Sequence, residues 1–194
     1  MNFEDDLTLV THASASALDE IYLSELLANW RGPISLAVSL QGKFNEDFVK
    51  RKIESTLSLL TDQRDAHRFS VHIMFERDRT RSCHQSVHRL GVQAVEDVYF
   101  ASYPINTVRN VARLFSSTRY IAFADSDYLF SNDFYTKILA ILRENVPLNS
   151  KNVLNYRIFE IEDKSARLRN HQLSKVDLKE LIAANKARVF HVQK

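Results

Sequence analysis

Apolar positions along this chain alternate between strand-like runs and helix-like spacing, and the changes of period mark its elements. Leu7 to Thr11 is a short run rich in apolar and β-branched residues and predicts a first strand. Leu18, Ile21, Tyr22 and Leu26 then recur at helical spacing. Trp30 stands near the end of that helix, and Gly32-Pro33 stops it. Ile34 to Leu40 predicts a second strand and Phe69 to Phe75 a third. Between them, Val49, Ile53, Leu57 and Leu60 share one helix face behind an Asn45 cap, with Glu46, Lys50, Arg51 and Glu54 on its solvated side. The order βαβαβ implies parallel strands joined by right-handed crossovers.

The most organised stretch runs from Tyr103 to Tyr135. Val108, Val111, Ala112 and Phe115 form one apolar helix stripe, and Asn106, Arg109, Asn110 and Arg113 repeat the same spacing on a polar face. Tyr120 to Ala124 is a mostly apolar run that suits a buried strand. It ends in Asp125-Ser126-Asp127, two carboxylates where open α/β sheets bind ligands. Ser131, Asn132 and Asp133 offer N-cap chemistry to a following helix with Phe134, Ile138, Ile141 and Leu142 as its stripe, ended by Asn145 and Pro147. Further on, Val153 to Ile161 reads as a late strand. Ser174-x-x-Asp177 reads as a capping arrangement for a helix bearing Leu178, Leu181 and Ile182, and Val189-Phe190-His191 comes just before the last residues.

The acidic turn has a definite chemistry within reach. Carboxylate oxygens suit a hard divalent ion, and Mg²⁺ commonly takes one or two carboxylates together with substrate phosphates; Mn²⁺ accepts the same oxygens. Such an ion could clamp a nucleoside diphosphate and neutralise charge as it leaves. An arginine near it, such as Arg109, can bind a diphosphate bidentately. A lone D-x-D is nevertheless a common acidic turn that often only caps a helix. A haloacid-dehalogenase-type phosphatase also carries D-x-D after a strand. That pattern wants Thr or Val where this chain has Leu129, and it places the motif on the first strand.

Four stretches, in order along nearly the whole chain, resemble family 49 of the glycosyltransferases, which includes the LARGE enzymes and the β-1,4-glucuronyltransferase of dystroglycan glycosylation. They are L-T-L-V-T (Leu7 to Thr11), W-x-G-P-I-S-L-A (Trp30 to Ala37), Y-P-I-N-x-x-R-N-x-A with the following Y-I-A-F-A-D-S-D-Y-L-F, and V-L-N-Y-R-I-F-E with the segments after it. The resemblance implies a GT-A-like α/β domain over residues 1–194, a mostly parallel nucleotide-binding sheet flanked by helices, with its acceptor part incomplete. It implies inverting, metal-dependent transfer of glucuronic acid from a UDP-sugar to a glycan or glycoprotein acceptor, with Mn²⁺ or Mg²⁺ as cofactor. Under it, Asp127 and Asp125 hold the metal, Asp125 alternatively the ribose hydroxyls. Arg109 takes the diphosphate or the acidic group of the sugar, Asn110 orients the donor, and Thr11 lies near it. By the same resemblance His12, beside Thr11, lies near the donor as well, although from the residues alone it reads as a solvated loop histidine. Asp97 and Tyr103 flank the central motif and could line the donor pocket. No residue stands out as the general base, and His191 is a faint candidate ligand. The alternative is a relative that binds the donor or acts as a scaffold without turnover.

Composition narrows the partners. A net charge of +2 gives no case for nucleic acid, and the single cysteine, Cys83, excludes an intrachain disulfide and a zinc cluster. No run approaches the roughly 20 apolar residues of a membrane span. The acidic start, MNFEDD, lacks a signal-peptide layout, whereas the family resembled is Golgi-resident and anchored, so a cytoplasmic setting is the expectation if the chain is complete. Only three glycines occur, so a glycine-rich phosphate cradle is not expected. The basic segment from Arg77 to Ser102, with Cys83, His84 and His88, reads as a solvated loop or helix rather than a metal site.

Overall fold

The computed structural model describes residues 5–40, 51, 54–55, 58, 66–75, 103–131, 133–145, 153–162 and 174–190. Asn45 and the stripe Val49, Ile53, Leu57 and Leu60 expected behind it, the basic segment with Cys83, His84 and His88, and Asp97, Asn132, Pro147 and His191 lie outside those residues; of that expected helix Arg51, Glu54, Ser55 and Ser58 are described, and they are helical. In chain order the elements are β1 (Leu7–Ser14), α1 (Glu20–Asn29), β2 (Ile34–Leu40), β3 (Phe69–Phe75), α2 (Ile105–Leu114), β4 (Tyr120–Phe123), α3 (Phe134–Asn145), β5 (Phe159–Ile161), α4 (Lys175–Ala183) and β6 (Ala187–Val189). The first four strands form one parallel sheet in the order β3-β2-β1-β4, with Leu9 opposite Ile34, Ile34 opposite Phe69 and Leu7 opposite Tyr120. The expected α/β class with a parallel, helix-flanked sheet is what forms. β5 and β6 make a separate antiparallel ladder.

Strand alternation divides the sheet into two faces. On one, Leu7, Leu9, Ile34, Leu36 and Val38 pack against Leu23, Leu26 and Leu27 of α1 and against Leu139 of α3. Trp30 is fully buried there, beside Phe130, Phe134 and Tyr135, and its indole N–H donates to the Pro33 carbonyl at 3.1 Å. A buried indole normally needs such an acceptor. Gly32 lies so close to the Tyr135 ring and the Leu7 carbonyl that a Cβ would stand 2.2 Å and 2.8 Å from them. On the other face, Val108 and Ala112 of α2 cover Val10 and Ala37. The result is a helix layer on each side of the sheet.

Several boundaries differ from the sequence reading. β1 runs on to Ser14, because Thr11, His12, Ala13 and Ser14 pair with Leu36, Ala37, Val38 and Ser39. α1 starts at Glu20, capped by Asp19, whose carboxylate accepts from the Ile21 and Tyr22 amides. β4 pairs only with β1 among the described residues, so it is half-buried and Phe123 is exposed rather than buried on both faces. Phe115 falls just past the end of α2 and is exposed, though its ring stacks on His72 at 4.3 Å. In α3 the inward residues are Phe134, Tyr135, Ile138, Leu139 and Leu142, so of the expected stripe only Ile141 is exposed. The late strand is confined to Phe159–Ile161, since only those residues pair with β6. Ser174 and Asp177 form the expected capping box.

Candidate functional site

The order of the strands decides where a ligand can sit. The chain builds β1, β2 and β3 outward in one direction, then crosses back to lay β4 on the other side of β1. At such a reversal the connections leave the carboxyl ends of the two strands on opposite sides, and a crevice opens between them. A cleft of about 380 Å³ lies there, lined by His12 and Ser14 from β1, Asp125 and Asp127 from the turn after β4, Tyr103 ahead of α2, and Tyr22 of α1. Small-molecule sites begin at roughly 300 Å³.

Three of these side chains and one neighbour are tied together. The Arg109 guanidinium reaches from α2 and donates from Nη2 to Asp125 Oδ1 at 2.7 Å and from Nε to His12 Nε2 at 2.9 Å. His12 Nδ1 lies 2.8 Å from the Tyr103 hydroxyl. His12 Nε2 is also 3.2 Å from Asp125 Oδ1. One ring nitrogen cannot both accept from Arg109 and donate to Asp125. Arg109 keeps all its protons at any ordinary pH and aims one at Nε2, so Nε2 is the acceptor and the neutral ring carries its hydrogen on Nδ1. Asp125 is held down to about 2 by the His12 contact and by the Arg109 ion pair, against burial, which raises it. In the tautomer just assigned, the guanidinium is the lasting source of that effect. Burial raises the Tyr128 phenol, and the neighbouring Asp125 adds to the rise. Burial likewise pushes Tyr156, whose hydroxyl donates to the Phe123 carbonyl, up to about 12.

Each residue singled out from sequence thus has a place. Asp125 and Asp127 both line the cleft, but their environments differ. Asp125 is engaged by Arg109, whereas Asp127 is exposed and makes no hydrogen bond or ion pair among the described residues. Arg109 stands behind His12 and Asp125 rather than in the lining, and Asn110 is exposed on α2 away from it. Thr11 is fully buried on the α1 side of the sheet, its Oγ1 without a partner, so the side chain its neighbour His12 turns toward the cleft is the one that lines it. His12 is therefore not the solvated loop residue expected: it is buried and inside the strand. Tyr103, read from sequence as able to line a pocket, is a wall of the cleft. Carrying the β1 alternation one residue further would have shown the place of His12.

The donor set suits one kind of ion. Among the described residues no three His, Cys, Asp or Glu side chains are grouped to form a protein-only metal cage. An ion shared with a diphosphate needs only one or two carboxylates, and Asp127 offers all-oxygen ligation at the mouth of the cleft. A hard, oxygen-preferring ion such as Mg²⁺ or Mn²⁺ fits; a softer, cysteine-seeking one does not.

A family model described as glycosyl-transferase for dystroglycan matches residues 6–194. No curated protein matches the chain. Among solved structures, the chain is similar to one titled crystal structure of S. aureus TarS 1-349, at 12% identity and a TM-score of 0.41. The likeness covers 95% of this chain and 56% of that one. No helix among the described residues is long and apolar enough to cross a membrane.

Proposed function

This chain belongs to the family of glycosyl-transferases for dystroglycan, and from that premise we propose that its β1–β4 cleft binds a UDP-sugar, UDP-glucuronic acid, with Mn²⁺ or Mg²⁺ for inverting transfer to a glycan or glycoprotein hydroxyl. The observation that carries the reading is a carboxylate unpaired among the described residues, Asp127, on a cleft at the carboxyl ends of parallel strands where their order reverses. The setting that goes with it is the Golgi.

The residues divide the work by charge. Two bare aspartates would repel a diphosphate. Arg109 offsets Asp125, which leaves Asp127 as the one uncompensated carboxylate of the turn. Asp127 holds the divalent ion, and when bound that ion supplies neutralisation of charge on the diphosphate. Asp125, fixed by Arg109, keeps the turn in shape and offers an acceptor to ribose hydroxyls. Arg109 reaches the donor only by leaving Asp125, so its role is to balance charge before it binds phosphate. Asn110 and Thr11 act on the donor, if at all, through the backbone and helix they belong to.

Isothermal titration of UDP with and without Mn²⁺, alongside a donor-hydrolysis assay, tests this reading. UDP is expected to bind only with the metal, and Asp127→Ala is expected to weaken that binding about 100-fold or more while the melting temperature stays put. Binding without hydrolysis or transfer would mark the chain as a donor-binding relative. Equal UDP affinity with and without metal would remove the metal from the reading.

A further inference from the structure

The His12 tautomer has a consequence for Tyr103. Arg109 Nε–H points at His12 Nε2, so the ring hydrogen is on Nδ1 and is donated to the Tyr103 oxygen at 2.8 Å. A phenol hydrogen lies in the ring plane and has two in-plane positions. With one side of the oxygen taken by His12, the hydroxyl hydrogen turns to the other. Among the described residues no acceptor meets it, and Tyr103 lines the cleft.

We propose that Tyr103 is a binding residue of the cleft, its hydroxyl a fixed hydrogen-bond donor to an oxygen of the bound nucleotide, with His12 as the positioning residue that aims it. The inference rests on the nucleotide-sugar reading above. Three groups in series set the direction of one hydrogen: Asp125 orients Arg109, Arg109 fixes the tautomer of His12, and the tautomer makes Tyr103 an outward donor. The rings of His12 and Tyr103 are 5.6 Å apart at 33°, so the phenol is also held by packing. Burial pushes the Tyr103 phenol up to about 12, which keeps its hydrogen in place across neutral pH. A donor fixed in advance loses little freedom on binding, unlike a surface serine or lysine. It also discriminates: an oxygen acceptor in the ligand satisfies it, and a ligand group that is itself only a donor leaves it unpaired.

Two measurements on the whole chain decide this. The first is titration of UDP with Mn²⁺ into wild type and Tyr103→Phe, which keeps the ring and removes only the hydroxyl. Affinity is expected to fall about tenfold with the melting temperature unchanged. His12→Asn, which keeps a donor near the Nδ1 position, is expected to retain more of the affinity than His12→Leu, a contrast that loss of packing alone would not give. The second needs no ligand: nitrogen-15 NMR of labelled histidine is expected to show His12 neutral with its hydrogen on Nδ1. Wild-type affinity in Tyr103→Phe, or a hydrogen found on Nε2, overturns the proposal. Failure of the wild-type chain to bind UDP would instead remove the nucleotide-sugar reading. The tautomer would still show whether Tyr103 is aimed as a donor.

Discussion

On one face of the sheet, Trp30 is sealed among Phe130, Phe134 and Tyr135, with two helices over a broad apolar surface. On the other, α2 contributes Val108, Ala112 and the partly buried Val111 to a smaller patch, and several strand residues beside it are polar. Ser35 donates to the Ala112 carbonyl at 2.7 Å, His72 Nε2 lies 3.1 Å from the Ser35 hydroxyl, and His12 belongs to the cleft network. Burial lowers the pKa of His72, in keeping with a neutral ring that accepts or donates within that network. The difference teaches where the fold keeps stability and where it keeps precision. Apolar overlap is tolerant of position and supplies most of the folding free energy. Hydrogen bonds add little net but fix atoms to within a fraction of an ångström. The thin face can therefore spend its contacts on placing α2, and with it Tyr103 and Arg109.

That contrast can be broken from either side. Trp30→Ala should destabilise the chain by about 3–5 kcal/mol, measured by denaturant unfolding, because it opens the largest void on the apolar face. UDP affinity of the molecules still folded should change little. A large loss of affinity without loss of stability would place the tryptophan in the site instead. A smaller effect is expected at Asp125. Its folded pKa is held below the usual value near 3.9 by the Arg109 ion pair, so the carboxylate stabilises the fold above about pH 4. That contribution is lost as pH falls through the depressed folded pKa. Wild type and Asp125→Asn should thus differ in melting temperature at neutral pH and converge in strong acid. A constant gap across that range would mean the Arg109 pair does not stabilise the folded state.

How much of this was legible depends on how local each feature is. Ile34–Leu40 and Phe69–Phe75 were readable residue for residue, since large apolar residues hold every second position of each, from Ile34 to Leu40 and from Phe69 to Phe75. The capping box at Ser174 and Asp177 is a four-residue device and showed itself fully. β1 was cut short because His12-Ala13-Ser14 looks like a loop in isolation; its strand character comes from pairing with β2. β4 was expected to be buried because its residues are apolar, but its place at the sheet edge follows from the crossover, not from composition. In the site, the acidic turn was legible as a motif. The network was not: its contacts join residues 16, 97 and 91 positions apart, and no spacing rule spans such distances. That is why only the resemblance, and no spacing, set Asp127 apart from Asp125 in sequence, whereas in the fold the Arg109 pair sets them apart.

The account turns on that inequality, and the ion itself can report it. Crystals of the chain grown with UDP and Mn²⁺, measured near the manganese absorption edge, would locate the metal by its anomalous signal. The account expects a peak in the β1–β4 cleft within direct bonding distance of an Asp127 carboxylate oxygen, about 2.0–2.2 Å, with diphosphate oxygens completing the shell and Arg109 still on Asp125. Manganese bound elsewhere, or UDP seated in the cleft with no metal beside Asp127, would contradict it.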